Sequence, residues 1–373
     1  MNYPMNDHVS STSKMDAICL TDIPVVGRVH DYITMKKVPV PQPNSQEVLV
    51  KLCASAMHID EIYAAQGTAL GRFYGPKTIS DEKPCILGSS VAGVVVKVGS
   101  GVKKIKIGDE VIAIPSEQME RGSWANYRVL DQKMVMRKPD KLTHVEAAAT
   151  TMGACVAWGS IQAAKVRRGT DCVVVGASGA IGSMIVQYLK SLDCHITAVC
   201  GAKNERYVRQ LGAHEVVDYT LNDFADLAEY NAIRYDIVFD CVGGKSIEKS
   251  AFRVLKNDGV FETIVGPMQY VGEEKLSWSE FASVLGYVGK RMLTTRIRRG
   301  PMYTFGEKYP KNVIEQAYKV LLNENIKMPI DRVVPFTQES ISEAIRHLMT
   351  HRAKGRIVIN FESSLDSGVF VVC

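Results

Sequence analysis

Long apolar stretches are missing from this sequence of 373 residues. None reaches the roughly 18 residues that a membrane-spanning helix needs. The N-terminal segment MNYPMNDHVSSTSK has neither the apolar core of a secretory signal nor the arginine-rich amphipathic pattern of a transit peptide. We therefore expect residues 1–16 to be a flexible leader and the protein to be cytoplasmic, with no membrane span.

Paired cysteines are also missing. The chain has nine cysteines, an odd number, and their spacing matches neither a disulfide framework nor a zinc cluster. Several stand inside apolar runs such as DCVVVG and VFDCVGG, where a reduced thiol packs as a small hydrophobic group. This usage is typical of a reducing compartment.

No concentrated basic face is present. The 45 Lys and Arg residues are nearly balanced by 40 Asp and Glu, which leaves a net charge of +5. A nucleic-acid partner is therefore not expected. The hydrophobic fraction of 46% and the chain length instead favour a globular protein with two cores, acting on a small molecule as a monomer or homodimer.

The chain has two consecutive regions with different sequence patterns. Residues 17–153 read as short strands punctuated by Gly, Pro and Asp, which is typical of a partly open barrel. From residue 154 to 300, strands alternate with helical patterns, which predicts a doubly wound parallel sheet. The predicted strands of that sheet are Cys172 to Val175, His195 to Cys200, Glu215 to Tyr219, Asp236 to Asp240, Val260 to Val265 and Leu293 to Arg298.

A glycine-rich loop follows the first of these strands, in the segment VVVGASGAIGSMIVQYLK. Its spacing, G-x-x-G-x-x-G, is a weak signal alone, but its position between a strand and a helix N-terminus favours a dinucleotide pyrophosphate. The third glycine has a second interpretation, close packing of helix on strand, that requires no ligand. The loop residues predicted to bind are Gly176, Ser178, Gly179, Ala180, Ile181 and Gly182.

The second strand indicates which dinucleotide binds. NAD sites usually have a carboxylate at its end, whereas this strand ends at Cys200 and has no carboxylate before Glu205. Lys203 and Arg206 suit the 2′-phosphate of NADPH, since two cations attract a dianion. The alternative is that both are ordinary solvated helix residues.

Several segments resemble the medium-chain dehydrogenase/reductase superfamily, in its zinc-free quinone oxidoreductase and enoyl reductase branch near the reticulon-interacting-protein group. They are ILGSSVAGVVVKVGSGVKKIKIGDEVIA, GSWANYRVL, GASGAIG, LGAHEVVDYT, FDCVGG and HRAKGRIVI. The resemblance implies an α/β fold with a GroES-like barrel over 17–153, a Rossmann domain over 154–300 and a return to the catalytic domain over 301–373. It also implies further cofactor contacts at Tyr219, Cys241, Val242, Val265, Gly266, Pro267, Lys354 and Gly355.

The zinc ligands of the resembled alcohol dehydrogenases are absent. Gly88-Ser89-Ser90 stands where those enzymes have Gly-His-Glu, and no cysteine lies between Cys85 and Cys155. Cys53, with His58 and Asp60 downstream, is open to a metal interpretation, but its place in the strand VLVKLCA favours a packed thiol. We expect no zinc.

The substrate loop MHIDEIYAAQG departs from the resembled pattern, with Met57 in place of Asn and Gly67 one residue later than usual. Its possible proton donors are His58, Asp60 and Tyr63. We prefer Tyr63, because a phenol can stabilise an enolate and protonate it. Packing alone is the alternative for Tyr63, and a structural hydrogen bond is the alternative for His58.

These observations predict a metal-independent NADPH reductase of an activated C=C bond or a quinone. One alternative is a stand-alone enoyl reductase that takes a carrier-bound polyketide chain through a groove near AAQGTALGRFYGPK. Another is a binding or non-redox protein that keeps the cofactor fold, since fold does not fix function.

Overall fold

Strands fill the first part of the chain, and helices alternate with strands from His144 onward. The computed structural model describes residues 12–68, 78–113, 122–269, 272–297, 300–305 and 312–362. The strands in these ranges are β1 (Lys14–Leu20), β2 (Ile33–Pro39), β3 (Glu47–Met57), β4 (Cys85–Ile86), β5 (Val91–Val98), β6 (Glu110–Ala113), β7 (Tyr127–Asp131), β8 (Val135–Arg137), β9 (Asp171–Val175), β10 (His195–Cys200), β11 (Glu215–Asp218), β12 (Tyr235–Asp240), β13 (Leu255–Thr263), β14 (Met302–Phe305), β15 (Ile330–Pro335) and β16 (Arg356–Asn360). The helices are α1 (Ile59–Ala65), α2 (His144–Ala163), α3 (Ala180–Ser191), α4 (Glu205–Leu211), α5 (Phe224–Tyr230), α6 (Lys245–Val254), α7 (Trp278–Ile297), α8 (Val313–Asn323) and α9 (Gln338–Leu348).

The first unit comprises Met1–Met152, Gly272–Lys275 and Pro329–Cys373. A three-stranded sheet has the order β2-β1-β4, and a larger sheet has the order β15-β16-β3-β5-β6-β8, with β7 also paired to β3. Strand β3 is buried along most of its length because it has neighbours on both sides. Trp124, between β6 and β7, is the largest fully buried side chain among the described residues. Since β3 leads directly into α1, this sheet fixes the start of the predicted substrate loop.

The second unit comprises Gly153–Val271 and Leu276–Met328. Its six strands are all parallel, in the order β11-β10-β9-β12-β13-β14. The chain runs outward from β9 in one direction and from β12 in the other, so the strand order reverses between them. In such sheets ligands bind beyond the carboxyl ends of the strands at this point. The predicted doubly wound α/β fold is confirmed.

One predicted strand was wrong. Residues Leu293 to Arg298 were predicted as the sixth strand, but α7 extends through Ile297 and the sixth strand is β14. The two threonines in this segment favour a strand, which explains the wrong prediction. Here the hydroxyls of Thr294 and Thr295 instead bond the helix carbonyls of Lys290 and Arg291, at 2.7 and 2.9 Å.

The return to the first unit also comes later than the predicted residue 301. Helix α8 packs in the second unit, where Tyr188 of α3 donates a hydrogen bond to the Ala317 carbonyl at 3.1 Å. The crossing therefore falls at Pro329. The predicted leader, 1–16, lies mostly outside the described residues, and β1 already begins at Lys14.

Among the described residues, no helix combines the length and apolarity needed to cross a membrane. The cytoplasmic location stays a prediction.

Candidate functional site

The glycine loop lies between β9 and α3 in the second unit, at the point where the strand order reverses. Gly176 has a φ of +76°, a conformation that favours glycine. A Cβ at Gly182 would stand 2.2 Å from the Gly176 carbonyl oxygen, so only glycine fits there. This close approach agrees with the packing interpretation of Gly182, and it also holds the first turn of α3 against the loop.

Gly179 is the N-cap of α3 and has no side chain to bond the helix amides. The first N–H groups of a helix lack partners within it and carry the positive end of the helix dipole. A Cβ at Gly179 would meet only the Gly176 carbonyl oxygen, at 3.4 Å. The loop residues Ser178, Ala180 and Ile181 remain partly exposed around these amides. The geometry therefore fits a diphosphate.

Exposed cations lie next to this loop, beyond the end of β10. Lys203 and Arg206 are both exposed, whereas the nearby Glu205 is paired with Arg209 at 2.9 Å. Asn204, which sequence reasoning missed, donates from Nδ2 to the Ser178 hydroxyl at 3.0 Å and so ties this segment to the glycine loop.

Tyr219 lies beside the same strand end. A Cβ at Gly201 would be 3.7 Å from the Tyr219 ring, and the ring is 67% exposed. The Tyr219 amide donates to the carbonyl of Cys200, at 3.4 Å. The Cys200 side chain itself is buried. An exposed aromatic face beside two exposed cations suits an adenosine phosphate.

A buried carboxylate organises the ends of β12 and β13. Asp240 accepts hydrogen bonds from the amides of Val242 and Gly243, at 2.9 and 2.8 Å, and from the hydroxyl of Thr263, at 2.8 Å. Burial raises the pKa of Asp240, and these three hydrogen bonds oppose the rise. The aspartate thereby fixes the turn that contains Cys241, a thiol whose pKa burial also raises.

The hydroxyl of Thr263 continues this network into the next turn. It accepts from the amides of Val265 and Gly266, at 3.3 and 2.9 Å. Gly266 has a φ of +93°, and Pro267 is buried after it. The resemblance predicted these turns as cofactor contacts but did not identify Asp240 and Thr263. Both residues lie at the ends of adjacent parallel strands, and that position could have indicated their role.

The first unit contains the predicted substrate loop. His58 is the N-cap of α1, and its Nε2 lies 2.7 Å from the hydroxyl of Ser90. Burial, with the charge of Arg356 as a smaller cause, lowers the pKa of His58 well below its ordinary value. A neutral, hydrogen-bonded imidazole agrees with the structural alternative for His58.

Glu61, which sequence reasoning missed, is buried in the first turn of α1. Its carboxylate accepts from the Ser89 amide at 2.7 Å, from the Ser89 hydroxyl and from the His58 amide at 3.3 Å. Burial raises its pKa to about 7 despite these hydrogen bonds. Ser89 and Ser90, which replace the metal-binding residues of the resembled enzymes, thus hold α1 in place.

Asp60 lies on α1 with an exposed side chain. Burial lowers the pKa of Arg356 to about 10, against the opposing charges of Asp60 and Glu61.

Tyr63 is nearly buried, at 9% exposure, in the middle of α1. Its ring covers Gly272, where a Cβ would come within 2.1 Å of ring atoms. Its hydroxyl lies 3.5 Å from Nε2 of His351, which in turn lies 2.9 Å from the Glu273 carboxylate. The phenol is therefore connected to two titratable groups that sequence reasoning did not associate with it.

The remaining predicted residues fall elsewhere. Lys354 and Gly355 belong to the first unit, where the Lys354 amide donates to Asp331 at 3.0 Å and Gly355 has a φ of +106°. Their approach to the cofactor stays a prediction. The proposed polyketide groove near AAQGTALGRFYGPK lies largely outside the described residues, since 69–77 are not among them.

Two family models match the sequence. Residues 44–140 match the alcohol dehydrogenase GroES-like domain, and residues 211–359 match the zinc-binding dehydrogenase model. These matches cover parts of both units.

Curated and solved relatives agree with this match. The chloroplast envelope quinone oxidoreductase homolog of Arabidopsis thaliana is 33% identical over 62% of this chain and 70% of its own. The mitochondrial NAD(P)H oxidoreductase RTN4IP1 of Mus musculus is 29% identical over 84% of this chain and 81% of its own. The quinone oxidoreductase of Coxiella burnetii has a similar fold, with a TM-score of 0.76, 18% identity, and coverage of 94% of this chain and 100% of its own.

Proposed function

This chain belongs to the medium-chain dehydrogenase/reductase superfamily, in its quinone oxidoreductase branch near RTN4IP1, and we propose that it is an NADPH-dependent reductase of quinones or of activated C=C bonds. Its relatives are named as oxidoreductases, and RTN4IP1 as one that uses NAD(P)H. These names support an oxidoreductase that uses a nicotinamide cofactor. The substrate class and the preference for NADPH are the more specific parts of our proposal.

The proposal rests on the surface formed by the glycine loop after β9 and by the residues that follow β10. The glycine loop offers backbone amides at the N-terminus of α3, where only glycine fits at Gly182. Exposed Lys203 and Arg206 follow the neighbouring strand. Amides of a helix N-terminus bind phosphate, and paired cations favour a dianionic 2′-phosphate over a hydroxyl. These features support NADPH over NADH.

When bound, NADPH supplies a hydride from its nicotinamide ring to an electrophilic carbon or a quinone. The turns fixed by Asp240 and Thr263 would orient that ring, because four of their backbone amides donate to these two buried side chains, which are also hydrogen-bonded to each other. Pre-positioned groups of this kind lower the barrier by removing the need to reorganise during reaction.

Tyr63 donates the proton that completes the reduction. An enone substrate gains a hydride at its β-carbon and a proton at the enolate, and a phenol can supply that proton and later recover it. His351, 3.5 Å from the phenol oxygen, can return that proton, and Glu273 can stabilise the imidazolium. His58 and Glu61 position α1 through Ser90 and Ser89.

The proposed function is tested by following NADPH oxidation with a panel of quinones, enals, enones and enoyl thioesters. We expect turnover with at least one quinone or conjugated carbonyl substrate. Turnover restricted to carrier-bound thioesters would instead favour the stand-alone enoyl reductase. Tight NADPH binding without oxidation across the whole panel would favour the binding-protein alternative.

A further inference from the structure

We propose that the first unit binds one divalent cation of the zinc class between Cys53, His144 and Glu362. The thiol sulfur, an imidazole nitrogen and a carboxylate oxygen of these residues all lie within 4.8 Å of one another. Thiolate, imidazole and carboxylate are the ligand types that Zn²⁺ selects in proteins. This site is separate from the proposed reduction and takes no part in it.

The sheet brings two of the ligands together. Strand β16 pairs antiparallel with β3, and the Phe361 amide extends this pairing by donating to the Cys53 carbonyl at 3.0 Å. The Glu362 amide then donates to the Asn360 side chain at 3.0 Å, which fixes the turn after β16. Cys53 is 4% exposed within the sheet, and Glu362 is exposed just after the end of β16. Because the Glu362 carboxylate is exposed, a cation can reach the buried Cys53 sulfur from solvent through it.

The third ligand is held by a helix cap. His144 is the first residue of α2, directly after Thr143. The Thr143 amide donates to the Glu146 carboxylate at 2.9 Å, and the Glu146 amide donates to the Thr143 hydroxyl at 3.2 Å. This reciprocal arrangement is a capping box, which fixes the first turn of the helix. The imidazole therefore has a defined position next to the sheet.

The imidazole of His144 is in an unusual state for a buried polar group. Its side chain is 11% exposed, and its Nε2 has no hydrogen-bond partner among the described residues. The nearest carboxylate oxygens are 3.7 Å from Nε2, at Glu110, and 4.0 Å from Nδ1, at Glu362. Both distances are too long for hydrogen bonds. Nδ1 is the ring nitrogen nearer the Glu362 carboxylate, so a cation shared with Glu362 would bind Nδ1 and leave Nε2 facing Glu110.

Charge balance supports the same conclusion. Besides Glu362, the charged groups that act on His144 are Glu110 and Lys138, whose ammonium lies 3.1 Å from the Glu110 carboxylate. With a neutral thiol and imidazole, two carboxylates and one ammonium leave a net charge of −1. A divalent cation bound to the thiolate adds +2 and −1, which brings the total to zero. The thiol proton passes to solvent on binding, and nothing is oxidised or reduced.

This inference departs from the expectation that the chain holds no zinc. That expectation rested on the missing metal motifs of the resembled alcohol dehydrogenases and on Cys53 considered with His58 and Asp60. His58 is instead bonded to Ser90, and the side chains near Cys53 come from distant parts of the sequence. No local spacing could have indicated the cluster.

The test is titration of the full-length protein with Co²⁺, followed by displacement with Zn²⁺. We expect one equivalent of Co²⁺ to bind, with visible absorption typical of tetrahedral coordination and a near-ultraviolet thiolate-to-cobalt band that Zn²⁺ abolishes. Cys53→Ser should remove the thiolate band, and Glu362→Gln should weaken binding at least tenfold. The exposed position of Glu362 keeps the second variant informative if the buried Cys53→Ser variant does not fold.

The control variant is His195→Gln. The rings of His195 and His214 are stacked on the surface with their centroids 4.8 Å apart, and such a pair can bind cobalt adventitiously. This variant should leave the thiolate band and the affinity unchanged. The proposal is overturned if cobalt binds without a thiolate band, if His195→Gln abolishes binding, if Glu362→Gln has no effect, or if no equivalent binds.

Discussion

Nε2 of His58 lies 2.7 Å from the hydroxyl oxygen of Ser90, and this hydrogen bond joins the start of α1 to the segment before β5. Ser89 makes the parallel connection to Glu61, through its amide at 2.7 Å. The two serines stand where the resembled alcohol dehydrogenases have metal-binding residues. In this chain they hold α1, the start of the predicted substrate loop, through hydrogen bonds.

Ser90→Ala should destabilise the protein by about 1–3 kcal/mol, because it leaves the buried His58 nitrogen without its partner. The change is measured by urea unfolding at neutral pH. Ser45→Ala, at an exposed loop position, is the matched control and should change the stability by less than about 0.5 kcal/mol. Equal stability of the Ser90→Ala variant and wild type would mean that the hydrogen bond is dispensable.

Glu61→Gln should change how stability depends on pH. The folded-state pKa of Glu61 is about 7, against an ordinary value of 4.5, so the folded state retains a proton that the unfolded state has lost between these values. Glu61 therefore lowers the free energy of unfolding as pH rises through this window, by roughly 3 kcal/mol at most. Above about pH 7 its contribution no longer changes.

The measurement is the difference in unfolding free energy between wild type and Glu61→Gln across pH 4.5 to 8. His58, whose pKa is lowered, contributes with the opposite sign, but both proteins contain it. We expect wild type to lose stability relative to the variant as pH rises to about 7. Glu324→Gln, at an exposed helix end, should give a curve parallel to that of wild type. A parallel curve for Glu61→Gln would contradict the assignment.

Gly182→Ala should weaken binding of the nicotinamide cofactor at least tenfold and destabilise the second unit. The added Cβ would stand 2.2 Å from the Gly176 carbonyl oxygen, so the first turn of α3 must move away from the loop. Gly286→Ala is the control, because nothing lies within 4 Å of a Cβ there and alanine favours helix by up to about 1 kcal/mol. Isothermal titration with NADPH and thermal unfolding compare the two variants. Normal affinity in Gly182→Ala would remove the loop from the cofactor site.

Tyr63→Phe should lower kcat by roughly 10²-fold or more with unchanged NADPH affinity, because a general acid contributes about 10²–10⁴ to rate. The phenyl ring preserves packing against Gly272, so the loss is that of the hydroxyl alone. Tyr230→Phe, at a position 89% exposed, should behave as wild type. Steady-state kinetics with solvent-isotope labelling of the product's α-carbon is the measurement. Unchanged turnover and unchanged facial delivery of the proton would leave His58 or solvent as the donor.

The sequence predicted the features that depend on local pattern. The alternation of apolar strands with amphipathic helices gave five strands of the parallel sheet to within a few residues, and the glycine loop was found at its predicted place before α3. The last helix turns of α7 were mistaken for a strand, because the preference of threonine for strands was overridden by the helix that begins before them. Glu61, Asp240 and Thr263 were missed because their roles depend on burial and on partners distant in the chain.

The most direct test of the central claim compares the dissociation constants of NADPH and NADH for wild type and Lys203→Ala, with Lys319→Ala, an exposed lysine on α8, as control. We predict that wild type binds NADPH much more tightly than NADH. Loss of one charged contact to phosphate costs about 1.5–3 kcal/mol, so Lys203→Ala should weaken NADPH roughly ten- to hundredfold and leave NADH nearly unchanged. Equal affinity of wild type for the two cofactors, or a Lys203→Ala variant that binds NADPH as Lys319→Ala does, would contradict the account.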